Sequence, residues 1–202
     1  ILNTKLTSVL KGGNNTYHTC KLNKKVSYVG TNWSNNDISG MVFKDMDLSN
    51  CVFINTVLDN CIIRNCFGSN VIFQNCSVTN TVFFNNRFMK STFMNINFEI
   101  LWKLRLKKSI MSECTFPIKT NIMLLNVRVV SCDFSKKSLG AVESKAAVTL
   151  NSKTTFNNCK FKASAFLKNV WDNVYWTHCN FSHAKFNGCS FDGGSMTYSN
   201  FQ

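Results

Sequence analysis

At 202 residues and 22.9 kDa the chain suits one sizeable domain, and it carries a net charge of +13 from 23 basic and 10 acidic side chains, with a pI near 9.4. It holds no apolar run long enough to cross a membrane as a helix, and its start lacks the basic-then-apolar pattern of a secretory leader. It begins at Ile1 rather than Met, as a fragment or a processed product would.

Residues 1–27 contain five lysines, no acid and no repeat, which predicts an N-terminal cap with Lys21, Lys24 and Lys25 on a solvated face. From Tyr28 a bulky apolar residue recurs at every fifth position. The series is Tyr28, Trp33, Ile38, Phe43, Leu48, Phe53, Leu58, Ile63, a gap at Gly68, then Phe73, Val78, Phe83, Phe88, Phe93 and Phe98. Neither the helical period of 3.6 nor the strand period of 2 holds such a register. A chain that turns a corner every five residues does. Four corners close a square coil of roughly twenty residues, and successive coils pair as short parallel strands.

Residues 99–155 form an irregular section. Phe98 to Leu106 is a step of eight, Leu106, Met111 and Phe116 keep time, and a second step of eight leads to Leu124, Val129 and Phe134. The two steps predict small insertions projecting from a corner; the 22-residue gap from Phe134 to Phe156 reads as one irregular coil or a protruding loop over 135–155, its small and polar residues favouring the loop. Positive charge gathers in this part of the chain. Residues 28–98 balance four basic against four acidic side chains, whereas residues 103–168 set thirteen basic against Glu113, Asp133 and Glu143. The second register runs Phe156, Phe161, Phe166, Trp171, Trp176, Phe181, Phe186, Phe191, Met196 and Phe201. It has no cap, which predicts a partner, a dimer mate or a further segment over the open edge.

Nine of the ten cysteines sit two positions before a centre: Cys51, Cys61, Cys66, Cys76, Cys114, Cys132, Cys159, Cys179 and Cys189. Thr56, Thr81, Ser91, Ser164, Ala184 and Ser199 share that phase, so it reads as a small inward slot filled by reduced thiols. Reduced thiols point to a reducing compartment such as a cytosol. Two positions after the centre stand Asn50, Asn55, Asn60, Asn65, Asn70, Asn75, Asn80, Asn85, Lys90 and Asn95. Asparagine suits a corner, and stacked amides form ladders.

The stretches MVFKDMDLSNCVFINTVLDNC, NVIFQNCSVTNTVFFNNRF, FNNCKFKASAF and CNFSHAKFNGCSFDGGSMTYSNF resemble the pentapeptide-repeat family. The resemblance implies an all-β fold, a right-handed quadrilateral parallel β-helix with short insertions. Residues 28–202 would form the helix behind the 1–27 cap, with 99–155 as its irregular basic section. Phenylalanine stands where the family most often has leucine, which asks for a wider interior or local bulging. Proteins of this family are mostly non-catalytic, and several bacterial secreted effectors carry such domains, some ahead of a ubiquitin ligase.

The densest cationic run is Trp102, Lys103, Leu104, Arg105, Leu106, Lys107 and Lys108, with Lys136 and Lys137 extending it. Basic residues around a tryptophan suit an anionic lipid surface, a phosphate-rich ligand or an acidic partner. The plainer alternative is a strand with Leu104 or Leu106 inward and solvated lysines outward. The predicted anion- or partner-binding residues are therefore Trp102, Lys103, Arg105, Lys107, Lys108, Lys136 and Lys137. At His178, Cys179 and His183 the phase turns the histidines outward and the thiol inward, so no metal site is predicted. His18 and Cys20 lack a nearby acid, and Asp45 with Asp47 fits a surface corner, so no catalytic residue or cofactor is predicted.

The expected function is a non-catalytic binding or targeting scaffold whose basic flank engages a host or cellular protein or an anionic, phosphoinositide-type membrane surface, as in a bacterial effector. The alternative is the substrate-recruiting domain of a larger enzyme such as a bacterial ubiquitin ligase. Nucleic acid ranks below both, because the exposed aromatics Tyr175 and Tyr198 lie outside the basic segment. The quinolone-resistance type of the family mimics duplex DNA with an acidic surface, which a charge of +13 contradicts. The luminal receptor domain of synaptic vesicle glycoproteins also resembles a Phe-rich pentapeptide helix, and Asn14, Asn32, Asn75 and Asn180 lie in N-x-S/T sequons. The phase-locked free thiols weigh against it. The expected location is cytosolic or membrane-peripheral, or the host cell for a secreted effector, with dimerisation through the open C-terminal end.

Overall fold

The computed structural model describes residues 16–17, 22, 27–116, 119–135, 138–140, 150–151, 154–162, 164–167, 170–172, 174–187 and 189–202. Among these residues there is no helix, and every strand pairing is parallel. The chain winds as a four-faced β-solenoid. The first face stacks Val42–Lys44, Ile62–Arg64, then the leading halves of Val82–Met89, Ile100–Lys107 and Lys119–Leu125. Ser138–Gly140, Ala165–Leu167 and Lys185–Asn187 continue it. Phe67–Ser69 and the trailing halves of the same three long strands build the second face, extended by Leu150–Asn151, Val170–Asp172 and Ser190–Asp192. The third is an eight-stranded sheet from Val52–Ile54 to Ser195–Thr197. On the fourth, single bridges join Asp37, Val57 and Ser77, and then Asn97, Thr115, Asp133, Lys160, Asn180 and Asn200.

The five-residue register works because centres point inward and their rings stack from coil to coil. Trp33, Phe53, Phe73 and Phe93 form one column, with ring centroids 6.0, 4.6 and 5.1 Å apart. Phe116, Phe134, Phe161, Phe181 and Phe201 form another at 4.2 to 4.9 Å. Offset stacking accommodates the aromatic centres at nearly the rung spacing of the backbone. Gly68 is the gap for a reason: a Cβ there would lie 2.9 Å from backbone atoms of Leu48 and Ser49.

The inward slot does more than select for size. Thiols of Cys51, Cys61, Cys66 and Cys76 donate to the carbonyls of Tyr28, Ile38, Phe43 and Phe53 in the coil below, at 3.1 to 3.3 Å. Thr56 Oγ1 and Asn86 Nδ2 do the same to Trp33 and Ile63. Each short side chain thus adds a bond from its own coil to a carbonyl of the coil below, beside turn bonds such as Thr31 N–H to Tyr28 O. Among the described residues, the thiols of Cys51, Cys61, Cys66, Cys76, Cys114, Cys132, Cys159 and Cys179 are free and buried. Burial pushes the Cys61 thiol up to about 12 and those of Cys51, Cys66 and Cys76 to about 11. Cys132 and Cys159 are also pushed up, first by the adjoining thiols of Cys114 and Cys179 and then by burial.

Two sequence expectations need correction. The eight-residue steps are shortenings, not insertions. Ladder partners are 20 residues apart at Phe43 with Ile63, but 18 apart at Phe83 with Leu101, Phe93 with Met111 and Met111 with Val129. The corner between the fourth and first faces is cut back, so Asn80 N–H loses its backbone partner and donates to Glu99 Oε2 at 2.8 Å. Nor is 135–155 simply a loop. Ser138–Gly140 and Leu150–Asn151 complete the first and second faces of a full coil, in which Val129 and Phe156 are 27 apart. The surplus falls at 141–149, outside the described residues. Within the segment read as a cap, Thr16 pairs with Asp37; Lys21, Lys24 and Lys25 lie outside the described residues.

A candidate anion-binding face

Shortening by two residues decides which side chains meet. Val82–Met89 and Ile100–Lys107 run side by side through a corner, with Arg87 opposite Arg105 and Met89 opposite Lys107. Lys90 and Lys108 follow at the next corner, both at positive φ, 50° and 49°. Each donates its backbone N–H to the following coil, Lys90 to Lys107 O at 2.8 Å and Lys108 to Leu125 O at 3.0 Å. Arg87, Lys90, Arg105, Lys107 and Lys108 are all exposed. Leu104 and Leu106 between them are buried, so the alternation that reads as a strand is one.

This arrangement works against local stability. Like charges directly opposite on paired strands repel. A lysine at positive φ carries a steric cost that asparagine avoids more readily. The amide ladder at this corner joins Asn70 Nδ2 to Asn50 Oδ1 at 3.0 Å and breaks at Lys90. Elsewhere the ladder continues: Asn55, Asn75 and Asn95 follow Asn35 with gaps of 3.1 to 3.3 Å. No ion pair involves any of the five cations among the described residues; the one ion pair there is Lys44 with Asp45, at 3.8 Å. These cations lie on adjacent rungs with no ion partner among the described residues.

The structure divides the predicted cluster. Arg105, Lys107 and Lys108 fall together on the second face and its corner. Trp102 lies around the previous corner on the first face, opposite Phe84 and Asn121, and Lys103 occupies that corner by its backbone position. Lys136 and Lys137 lie outside the described residues. Sequence reading missed Arg87 and Lys90. Subtracting 18 from Arg105 and Lys108 finds both, but only once the coil is known to be short. Of the other candidates, His178 and His183 are exposed corner residues beside buried Cys179, and His178 stacks on Tyr198 at 5.1 Å. No three His, Cys, Asp or Glu converge among the described residues. Asp47 Oδ1 accepts from Ser49 N–H and Oγ–H, and Asp45 Oδ1 accepts from Asn65, so both carboxylates hold corners. His18 and Cys20 lie outside the described residues.

The fold and this face define a rigid solenoid of stacked five-residue units displaying a basic surface. Residues 173–202 match the family described as Pentapeptide repeats (8 copies). The same register and coil geometry run back to Tyr28. No curated protein matches it in sequence. Among solved structures it is similar to HetL, a pentapeptide repeat protein involved in heterocyst differentiation regulation from the cyanobacterium Nostoc, at 9% identity and a TM-score of 0.41, covering 92% of this chain and 89% of that one. It is also similar to full-length QnrB1, a plasmid-mediated fluoroquinolone resistance protein, at 14% identity and a TM-score of 0.36, covering 91% and 92%.

Proposed function

We propose that the chain is a non-catalytic binding scaffold whose second face docks an acidic segment of a protein partner. The observation that carries this reading is the block of Arg87, Lys90, Arg105, Lys107 and Lys108, exposed and without ion partners among the described residues. Their field steers an anionic partner, and the strand scaffold holds it without ordering cost. Beside the block, Val42, Ile62 and Ile100 expose an apolar column on the first face, which suits a protein segment better than a bilayer. Catalysis by the thiols is disfavoured because Cys51, Cys61, Cys66 and Cys76 remain protonated near neutrality. The same free thiols favour a reducing compartment.

The test compares the native chain with the Lys103→Glu, Arg105→Glu, Lys107→Glu, Lys108→Glu variant for binding to polyglutamate and to phosphoinositide-containing vesicles, at low and high salt. Salt-sensitive polyglutamate binding that the variant loses, with folding intact by circular dichroism, supports the proposal. Binding to vesicles alone replaces the protein partner with a membrane surface. Binding to neither ligand overturns it.

A further inference from the structure

The second face holds, beside its open cationic block, a cleft of about 200 Å³ at the corner it shares with the first face. Its walls are Asn65, Phe67, Asn85, Arg87 and Arg105, over the buried Cys66 and Asn86. We propose that this cleft binds a phosphomonoester carried on a side chain of the protein partner. The inference deepens the docking face by naming the group it recognises, and so rests on that reading.

The two guanidiniums come from residues directly opposite on paired strands, one rung apart, about 4.8 Å along the stack. Both side chains line the one cleft, so two forks are offered to a single tetrahedral oxyanion held in it. Charge decides between the candidate anions. A single carboxylate balances one arginine and leaves its neighbour facing a like charge. A phosphomonoester carries close to two negative charges at neutral pH and balances both. The floor and walls are already set. Asn86 is buried and satisfied, its Nδ2 donating to Ile63 O at 2.8 Å and its Oδ1 accepting from Cys66 N–H at 2.9 Å. Asn85 donates to Asn65 at 3.0 Å, and Asn65 to Asp45 at 2.9 Å, so the corner amides are held in line. Phe67 stands opposite Arg87 with 49% of its surface exposed, offering a ring against which the body of the phosphorylated side chain packs. Arg64 belongs to the other side of the corner, 5.9 Å over the Phe84 ring, and does not line the cleft.

The probes are phenyl phosphate, benzoate and vesicles containing phosphatidylinositol 4-phosphate, titrated against the full 202-residue chain by calorimetry and by NMR of its amides. Phenyl phosphate should bind, shift amides around Asn85 to Arg87 and weaken as the pH falls below about 6, where the phosphate loses its second charge. Benzoate should bind about tenfold more weakly, and Arg87→Gln or Arg105→Gln should each weaken phenyl phosphate about tenfold with an unchanged melting temperature. If either variant fails to fold, Arg87→Lys keeps the charge and removes the fork, and is expected to show the same loss. Phenyl phosphate bound equally by native and Gln forms, or no more tightly than benzoate, overturns the cleft. So does binding to the vesicles with none to phenyl phosphate, which would assign the phosphate to a lipid. Polyglutamate bound by the native chain with no binding of phenyl phosphate sinks the cleft and leaves the docking face standing; failure of the native chain to bind either ligand removes both.

Discussion

The coils from Tyr28 to Phe98 and the two that follow are built on one plan and differ by two residues per turn. In the longer coils each side has its five residues, asparagine stands at the corners, and amides stack from rung to rung. Charge there is balanced, and apolar centres stack from coil to coil with one gap at Gly68. In the shortened coils one corner is cut back, Glu99 replaces a lost backbone acceptor, lysines stand at positive φ and arginines face each other. The departures gather where the two regions meet: Arg87 and Lys90 belong to the last long coil, Arg105 and Lys108 to the first short one.

The comparison breaks most visibly through the core. Replacing Phe83 or Phe181 by Ala should cost about 3–5 kcal/mol through the cavity left in a ring column, read from urea unfolding. A cost below about 1 kcal/mol would mean the columns do not carry stability. The buried thiols test the neutral coils by pH. Cys51, Cys61, Cys66 and Cys76 are raised in the fold to about 11 or 12 from an ordinary value of 9.0. The unfolded chain therefore loses these protons first. Stability is full below about pH 9 and falls as the pH climbs through 9 towards 12. Melting temperatures across that range check the sign, and a flat profile would show the thiols in contact with water.

Lys90→Asn with Lys108→Asn should restore the corner and raise stability by roughly 1 kcal/mol per site, while weakening polyglutamate binding. A loss of stability would show the lysines to be structural. Glu99→Ala should cost about 1 kcal/mol, since it leaves Asn80 N–H without its acceptor, and the effect should reach the amide exchange of Asn80 first. No change in that exchange would place the repair of the cut corner elsewhere.

Periodicity determined the solenoid, its inward centres, its thiol slot and its asparagine corners, because each depends only on the phase of a residue within five. Cys61, Phe83 and Asn65 each sit where phase alone assigns them. Which outward residues become neighbours depends on the length of the coil between them, and that length is a tertiary property. A step of eight reads equally as five plus three or as ten minus two. Only the pairing of Arg87 with Arg105 shows the second to be true, and it brings together cations 18 residues apart in a cleft that no local pattern announces.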